Sequence, residues 1–299
     1  MKRRITITTA IAVIGVLLLP YQKPFAKAPC SSLNPFLYKV EKNGKTSFML
    51  GTMHIGIALS AYPQAVYSAF QNSAVTAFED DPDEIKKELG PNIRERSELP
   101  LGQTLRDVIS ATSIQKLESL YGKKTAALIM QYRLWAVKDQ IDTDAKASIS
   151  KREGISWSLD DGIETFLLHQ AKQSGKRIEL VDKNRDLLAD SEAAVTAKDL
   201  DDLLSYSDPI QHQADCDYSV RAAFCSGSQD LIERYLGSGC ETKGMLTIAN
   251  RRSKNWIPKL TQLFEQGNVF AALGAGHFVG PGGLISLLRQ EGFTVTSSR

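Results

Sequence analysis

Two histidines stand in equivalent places near opposite ends of the chain. Phe48-Met49-Leu50-Gly51-Thr52-Met53-His54 and Ala271-Ala272-Leu273-Gly274-Ala275-Gly276-His277 are each a short apolar run followed by Gly-x-x-His. Such a run reads as a buried strand, and a glycine at its end lets the backbone turn sharply or approach a ligand closely. Each copy therefore delivers an imidazole at a strand exit. Two more apolar strands run into acids. Val75-Thr76-Ala77-Phe78 is followed by Glu79-Asp80-Asp81, and Arg177-Ile178-Glu179-Leu180-Val181 by Asp182. Glu79 directly follows its apolar run and is the acid expected to point inward, whereas Asp80 and Asp81 read as a solvated loop start. Two imidazoles with carboxylates suit a divalent ion such as zinc, manganese or cobalt, which with an open coordination position activates water for hydrolysis. A metal-free arrangement, with histidine as base and a carboxylate to orient it, uses the same residues.

The elements that must hold these groups follow from the pattern. Leu33 to Val40, the polar turn Glu41 to Lys45 with Asn43-Gly44 at its centre, and Thr46 to Leu50 form a hairpin signal. Tyr62-Pro63 opens a helix with Ala65, Val66, Ala69 and Phe70 on one face. Helices are expected from about Leu101 to Asp144, with Ile114, Leu117, Leu120 and Tyr121 on one face. A second helix there, Lys124 to Asp139, should bury Leu128, Tyr132 and Trp135. Ser156 to Gln173 reads as another helix, ended by Ser174-Gly175-Lys176. Then come an acidic helix over Glu192 to Leu204, a helical segment over Pro209 to Gly239, and a long helix over Thr242 to Glu265. Pro258 should kink that last helix or divide it in two. Asn268 to Leu273 is the final core strand, Leu284 to Gln290 a short helix, and Phe293 to Val295 an edge strand. The other two histidines take bland readings: His169 lies on a helix surface or interface, and His212 has no helical partner histidine.

Composition narrows the function. The chain has 299 residues, 42% hydrophobic, with formal net charge +2 from 36 basic and 34 acidic residues. That balance gives no reason to expect nucleic acid as a partner. Lys2-Arg3-Arg4, the apolar run Ile5 to Leu19 and Ala26-Lys27-Ala28 have the three-part form of an export signal. Residues 1–28 are read as a signal peptide and 29–299 as one domain, placed in the periplasm or secreted, with no stable membrane insertion once the leader is removed. An uncleaved anchor is the alternative. Pro29 sits where a small residue would have to precede Cys30 in a lipoprotein. Cys30, Cys216, Cys225 and Cys240 suit disulfides in an oxidising compartment. Three connectivities are open, and at least one bridge is expected within 216–240.

At this point the sequence resembles a known family. Asn34-Pro35-Phe36-Leu37-Tyr38-Lys39-Val40, Leu50-Gly51-Thr52-Met53-His54-Ile55-Gly56 and Gly274-Ala275-Gly276-His277-Phe278-Val279-Gly280-Pro281-Gly282-Gly283-Leu284 are similar to the opening, first Gly-Thr-x-His and closing blocks of the TraB/PrgY/GumN family, whose relatives include the Tiki proteases. Glu79, the block Asp160 to Asp182, and Arg252 with Trp256 resemble its intervening blocks. The departures are Asp182 for glutamate, Glu164 where aspartate is frequent, and Ser253 for asparagine. The resemblance implies a metal-dependent peptidase or related hydrolase with a peptide or protein substrate. It makes His54 and His277 metal ligands, and Glu79 a ligand or the general base. Arg252 becomes an anion-holding group or a salt-bridge partner of Glu79 or Asp182, and Asp182 a further acid of the site.

The expectation is a single α/β (α+β) domain. It has a mixed sheet surrounded by helices, and its site lies at the strand C-terminal ends. A non-catalytic periplasmic binding or accessory protein using the same pocket is the alternative, kept open by Asp182 and Ser253.

Overall fold

The computed structural model describes residue 30 and residues 33–90, 93–182 and 185–298; the proposed leader, 1–28, lies outside the described residues. Six strands form one sheet: β1 (Phe36–Lys42), β2 (Lys45–Thr52), β3 (Val75–Phe78), β4 (Arg177–Leu180), β5 (Val269–Gly274) and β6 (Thr294–Ser297). Their order is β4-β3-β5-β2-β1-β6. The four strands from β4 to β2 are mutually parallel, and β1 and β6 add an antiparallel flank. The sheet is thus mixed and surrounded by helices, as expected. All positions of β3 and β5 are buried, the pattern of central strands covered on both faces. The hairpin turns at Asn43-Gly44, both with positive φ, and the last strand is indeed an edge.

One consequence of this order governs the site. β5 lies between β3 and β2, with Thr52 level with Gly274 and Phe78 level with Ala272. The residues just beyond these parallel strands therefore emerge together at one edge of the sheet. The sheet core includes Leu167, Leu168 and Ala171 from the helix Ile163–Gln173, and Trp256, Leu260 and Phe264 from the helix Lys243–Gln266. A second cluster is entirely helical and includes Leu105, Leu117, Met130, Val137, Ile141 and Leu200.

Several helix expectations need correction. The segment 124–139 is not one helix but parts of Lys123–Ile129 and Leu134–Glu153. Between them the backbone pairs elsewhere: the Met130 carbonyl accepts from Leu105 N at 2.9 Å, and Arg133 N donates to Ser97 O at 2.8 Å. Leu128 is 63% exposed, and Val137 takes the buried place instead. The acidic helix divides into Leu187–Ala194 and Ala197–Leu204. Val195 is extended, and Thr196 with Asp199 forms a capping box that restarts the helix. The helix expected from Ser156 begins only at Ile163, after the 3-10 turn Leu159–Asp161. Pro258 neither ends nor divides its helix, which runs unbroken over Lys243–Gln266.

The cysteines pair as Cys216–Cys240 and Cys30–Cys225. Both bridges anchor the helix Pro209–Ser226, and the first fixes the chain just before the helix that carries Arg252, Ser253 and Trp256. Asn34 adds to the second by donating from its backbone to Cys225 O and from its side chain to Ser226 O, each at 3.0 Å. Removing the shorter bridge as Cys216→Ala with Cys240→Ala should lower unfolding stability by about 3 kcal/mol. The urea midpoint of the double variant against wild type measures this.

Candidate functional site

The site is assembled over Gly274 from both sides. Glu79 enters from the end of β3 and His54 from the loop after β2, while His277 follows β5 itself. A Cβ on Gly274 would lie 3.1 Å from Glu79 Oε1 and 3.5 Å from both His54 Nε2 and His277 Cδ2. Glycine here leaves room for three functional side chains to share one small space.

Glu79 is held rigidly. Its Oε1 accepts from Gly274 N at 2.6 Å and its Oε2 from Arg252 Nη2 at 2.6 Å. Arg252 reaches across to a second strand end, donating from Nε to Asp182 Oδ2 at 2.6 Å. Its guanidinium lies 4.8 Å from the Trp256 ring centroid, one helical turn along the same face. Both salt-bridge partners foreseen for Arg252 are therefore realised at once, and the shorter arm of Asp182 does not prevent contact.

His54 is paired with a residue that sequence reasoning noted only as a departure. Its Nδ1 makes a very short contact with Glu164 Oε2, and Glu164 Oε1 accepts from Thr52 Oγ1 at 2.8 Å. Glu164 sits in the first turn of the helix Ile163–Gln173. A Cβ on the preceding Gly162 would run into the His54 carbonyl, so glycine lets this helix start directly against the His54 loop. No local signal in the sequence marks this role, because the pattern reads as a helix starting at Ser156, which puts Glu164 well inside it.

His277 is close by but faces differently. Its Nε2 is 3.5 Å from Arg252 Nη1 and its Nδ1 is 2.8 Å from Ser253 Oγ. The Ser253 hydroxyl donates to Ala249 O at 3.0 Å. With its proton there, the hydroxyl can accept from an Nδ1–H of His277, the tautomer whose Nε2 lone pair faces the Arg252 guanidinium. Ser253 thus ties His277 to the turn of helix that carries Ala249. The ring packs on Trp256 with centroids 4.3 Å apart.

Burial and charge separate the two histidines. His54 is 49% exposed on its side chain, and the Glu164 carboxylate, with Glu79 helping, raises its pKa to about 9. His277 is 8% exposed. Burial, then the nearby charges of Arg252 and His54, lower its pKa to about 4 against the pull of Glu79. Burial works against ionisation of Glu79, but His277, His54, Arg252 and the Gly274 N–H together hold its pKa down at about 2. Asp80 is pushed up to about 6 by burial and by Asp182, against Arg185 and Arg252.

Among the described residues, one group of histidine and acid side chains has ligand atoms that all lie within 4.8 Å of one another: His54, Glu79 and Glu164. One imidazole and two carboxylates from three separate segments form a donor set that fits a divalent ion. Of the residues named from the sequence, the structure brings His54 and Glu79 into this group. Arg252, Asp182 and His277 stand immediately behind them. The three donors line a cavity of about 450 Å³. Hollows of about 610 and 680 Å³ open beside His277 and Asp182, but neither holds the three donors together. His169 pairs with Asp83 on the surface at 3.2 Å, and His212 stacks on Tyr206.

The TraB/PrgY/gumN family model matches residues 36–297. No curated protein and no solved structure matches the chain.

In metal-free protein, the shift at His277 makes stability depend on pH. The unfolded residue takes up its proton near 6.5 and the folded one only near 4. Through that window the unfolded chain binds more protons, so the His277 contribution is present above 6.5 and is lost as pH falls. On the order of 3 kcal/mol is involved. His54 acts in the opposite sense, with a contribution present below 6.5 and lost as pH rises through about 9. His277→Asn should flatten the slope of denaturation midpoint against pH between 6.5 and 4, measured with chelator present. A slope identical to wild type would contradict the buried neutral imidazole.

Proposed function

The chain belongs to the TraB/PrgY/gumN family, and from that premise and the site geometry we propose that it is an exported metal-dependent hydrolase acting on peptide bonds. The observation that carries this reading is the convergence of His54, Glu79 and Glu164 on one point in an open cavity. Export is supported by the leader pattern in residues 1–28 and by two disulfides. Among the described residues no helix is long and apolar enough to cross a membrane.

His54, Glu79 and Glu164 would hold the ion, which when bound supplies a Lewis acid and lowers the pKa of a bound water. The remaining roles belong to the chain's own groups. Gly274 N–H and Arg252 fix both oxygens of Glu79, and Thr52 fixes one oxygen of Glu164, so the donors need little rearrangement. Glu79, held at about 2, is a poor proton acceptor near neutrality and serves better as a ligand than as a base. Neutral His277, its pKa lowered to about 4 and its Nε2 facing Arg252, is likewise a poor proton acceptor; it packs behind Arg252 rather than lining the cavity. Asp80, pushed up to about 6, lines the cavity and is suited to take a proton from water and return it to a leaving amine. Arg252, rigid between two acids and Trp256, presents a fixed positive charge where negative charge develops on a peptide carbonyl.

Engagement of both Glu79 oxygens also fits a pocket that binds without turnover, the second reading. Metal analysis and a peptide-library assay, with and without chelator, separate the two. Wild type should carry one divalent ion per chain and cleave in a chelator-sensitive way. His54→Ala and Glu164→Ala should each lower metal affinity at least about tenfold, with loss of cleavage. Binding should weaken as pH falls below about 9, because His54 must release its proton to serve as a ligand. Metal binding by both variants equal to wild type would sink the site assignment. Metal without chelator-sensitive cleavage would select the binding protein.

A further inference from the structure

The 450 Å³ cavity over the three donors has an apolar wall that the metal-centred reading does not use. Five segments contribute to it: Phe78 ends β3, Ile85 lies on the helix Pro82–Leu89, and Leu159 opens the 3-10 turn Leu159–Asp161. Leu168 comes from the helix Ile163–Gln173, and Leu187 begins the helix Leu187–Ala194. Phe78 and Leu168 are buried, but Ile85 and Leu187 are only partly so, and Leu159 is 51% exposed. A single exposed aliphatic residue needs no explanation. Aliphatic side chains from separate segments that converge beside a cluster of polar donors are what a side-chain binding pocket consists of.

The charges around the cavity point the same way. Each of its cations is already paired, His54 with Glu164 in metal-free protein. Lys86 contacts Asp160, Arg185 pairs with Asp190 at 2.9 Å and Asp80 at 3.6 Å, and Arg252 pairs with Glu79 and Asp182. An acidic side chain entering here would meet carboxylates and no unpaired cation. The Lys86–Asp160 contact also joins the Ile85 helix to the Leu159 turn, so two walls of the cavity are tied at their outer ends. An aliphatic or aromatic side chain would instead remove from water both itself and the open faces of Ile85, Leu159 and Leu187.

We propose that this cavity receives the apolar side chain of a residue flanking the cleaved bond, and that the substrates are peptides carrying a Leu-, Met- or Phe-like residue there. This rests on the hydrolase reading above. The three donors line the same cavity, so a side chain seated against the apolar wall brings its own backbone close to them. Placement of that backbone, rather than affinity alone, is what the pocket contributes.

The test pairs cleavage with binding. Metal-loaded full-length protein is given a randomised peptide library, and cut sites are read by mass spectrometry. One position flanking the cut should favour Leu, Met or Phe over Ala, Asp or Lys by roughly ten- to a hundredfold in kcat/KM. Leu159→Glu and Ile85→Glu, both at the partly open rim, should reduce that preference at least tenfold with metal stoichiometry unchanged. Ile85→Ala, which enlarges the pocket without adding charge, should shift it towards Phe. Calorimetry on metal-free protein gives the second readout: blocked peptides with Leu should bind at least tenfold more tightly than the same peptides with Asp. Chelator-sensitive cleavage without apolar preference, or a preference all three variants leave intact, would overturn the pocket assignment while sparing the hydrolase. Leu-selective binding with no cleavage would overturn the hydrolase and keep the pocket. Neither cleavage nor selective binding would overturn both.

Discussion

The Arg252 guanidinium, clasped between Glu79 and Asp182, is the interaction on which the rest of the site depends. It joins the ends of β3 and β4 to the helix Lys243–Gln266, which crosses the sheet core through Trp256, Leu260 and Phe264. Two carboxylates left together in this setting would raise each other's pKa. Placing a guanidinium between them, with Trp256 beneath, keeps Glu79 ionised although it is only 6% exposed. Desolvating such groups is costly unless each is paired and hydrogen-bonded. Here Gly274 N–H completes the pairing on the second Glu79 oxygen. The order β3-β5-β2 then decides what Glu79 can meet, since only β5 separates it from the His54 loop and β5 offers a glycine at that level.

Much of this was legible in the sequence, for a physical reason. A strand buried on both faces is a continuous apolar run, so the residue after it is easy to identify. His54, Glu79 and His277 could be read from that pattern, whereas Asp182 follows β4, a half-buried edge strand, and is legible as the acid that ends its short apolar run. Parallel pairing of those strands then brings their ends to one edge. The sequence was also informative about Arg252 and Trp256, because residues four apart on a helix share a face. Glu164 was harder. It lies on a helix whose start passes close to the His54 carbonyl, where only a glycine at 162 fits, a long-range contact with no local signature. The same limit applies to the helix boundaries. The gap between Ile129 and Leu134 exists because a distant loop claims the backbone groups of Met130 and Arg133. Thr196 restarts a helix through a cap that the acidic periodicity hid.

Pro258 teaches a related lesson. Proline inside a helix removes one hydrogen bond and crowds the preceding turn. Yet the helix continues on both sides, with Ile257, Leu260, Leu263 and Phe264 all buried. Tertiary packing of that apolar face outweighs the local penalty, as it does for most helices in proteins. The cost is accepted in the very helix that carries Arg252 and Ser253, so their positions are set by core packing two turns further on.

The two Gly-x-x-His copies look alike in sequence and end in opposite electrostatic states. The first leaves its imidazole half-exposed against a carboxylate, which favours the protonated form. The second buries its imidazole against an arginine and an aromatic ring, which favours the neutral form. The difference arises outside the motif: Glu164 comes from one helix, and Arg252, Ser253 and Trp256 from another. Ser253 is the clearest case, since its hydroxyl lies within hydrogen-bond distance of both Ala249 O and His277 Nδ1 and so ties the ring to the helix that carries Arg252. A repeated motif therefore places two imidazoles at the same sheet edge, while the flanking helices assign one to pair with an acid and the other to remain neutral. An ion bound by His54, Glu79 and Glu164 would have to displace the proton from the first. The second stays neutral behind Arg252, so of two imidazoles placed by the same motif only the first stands among carboxylates that could share an ion with it.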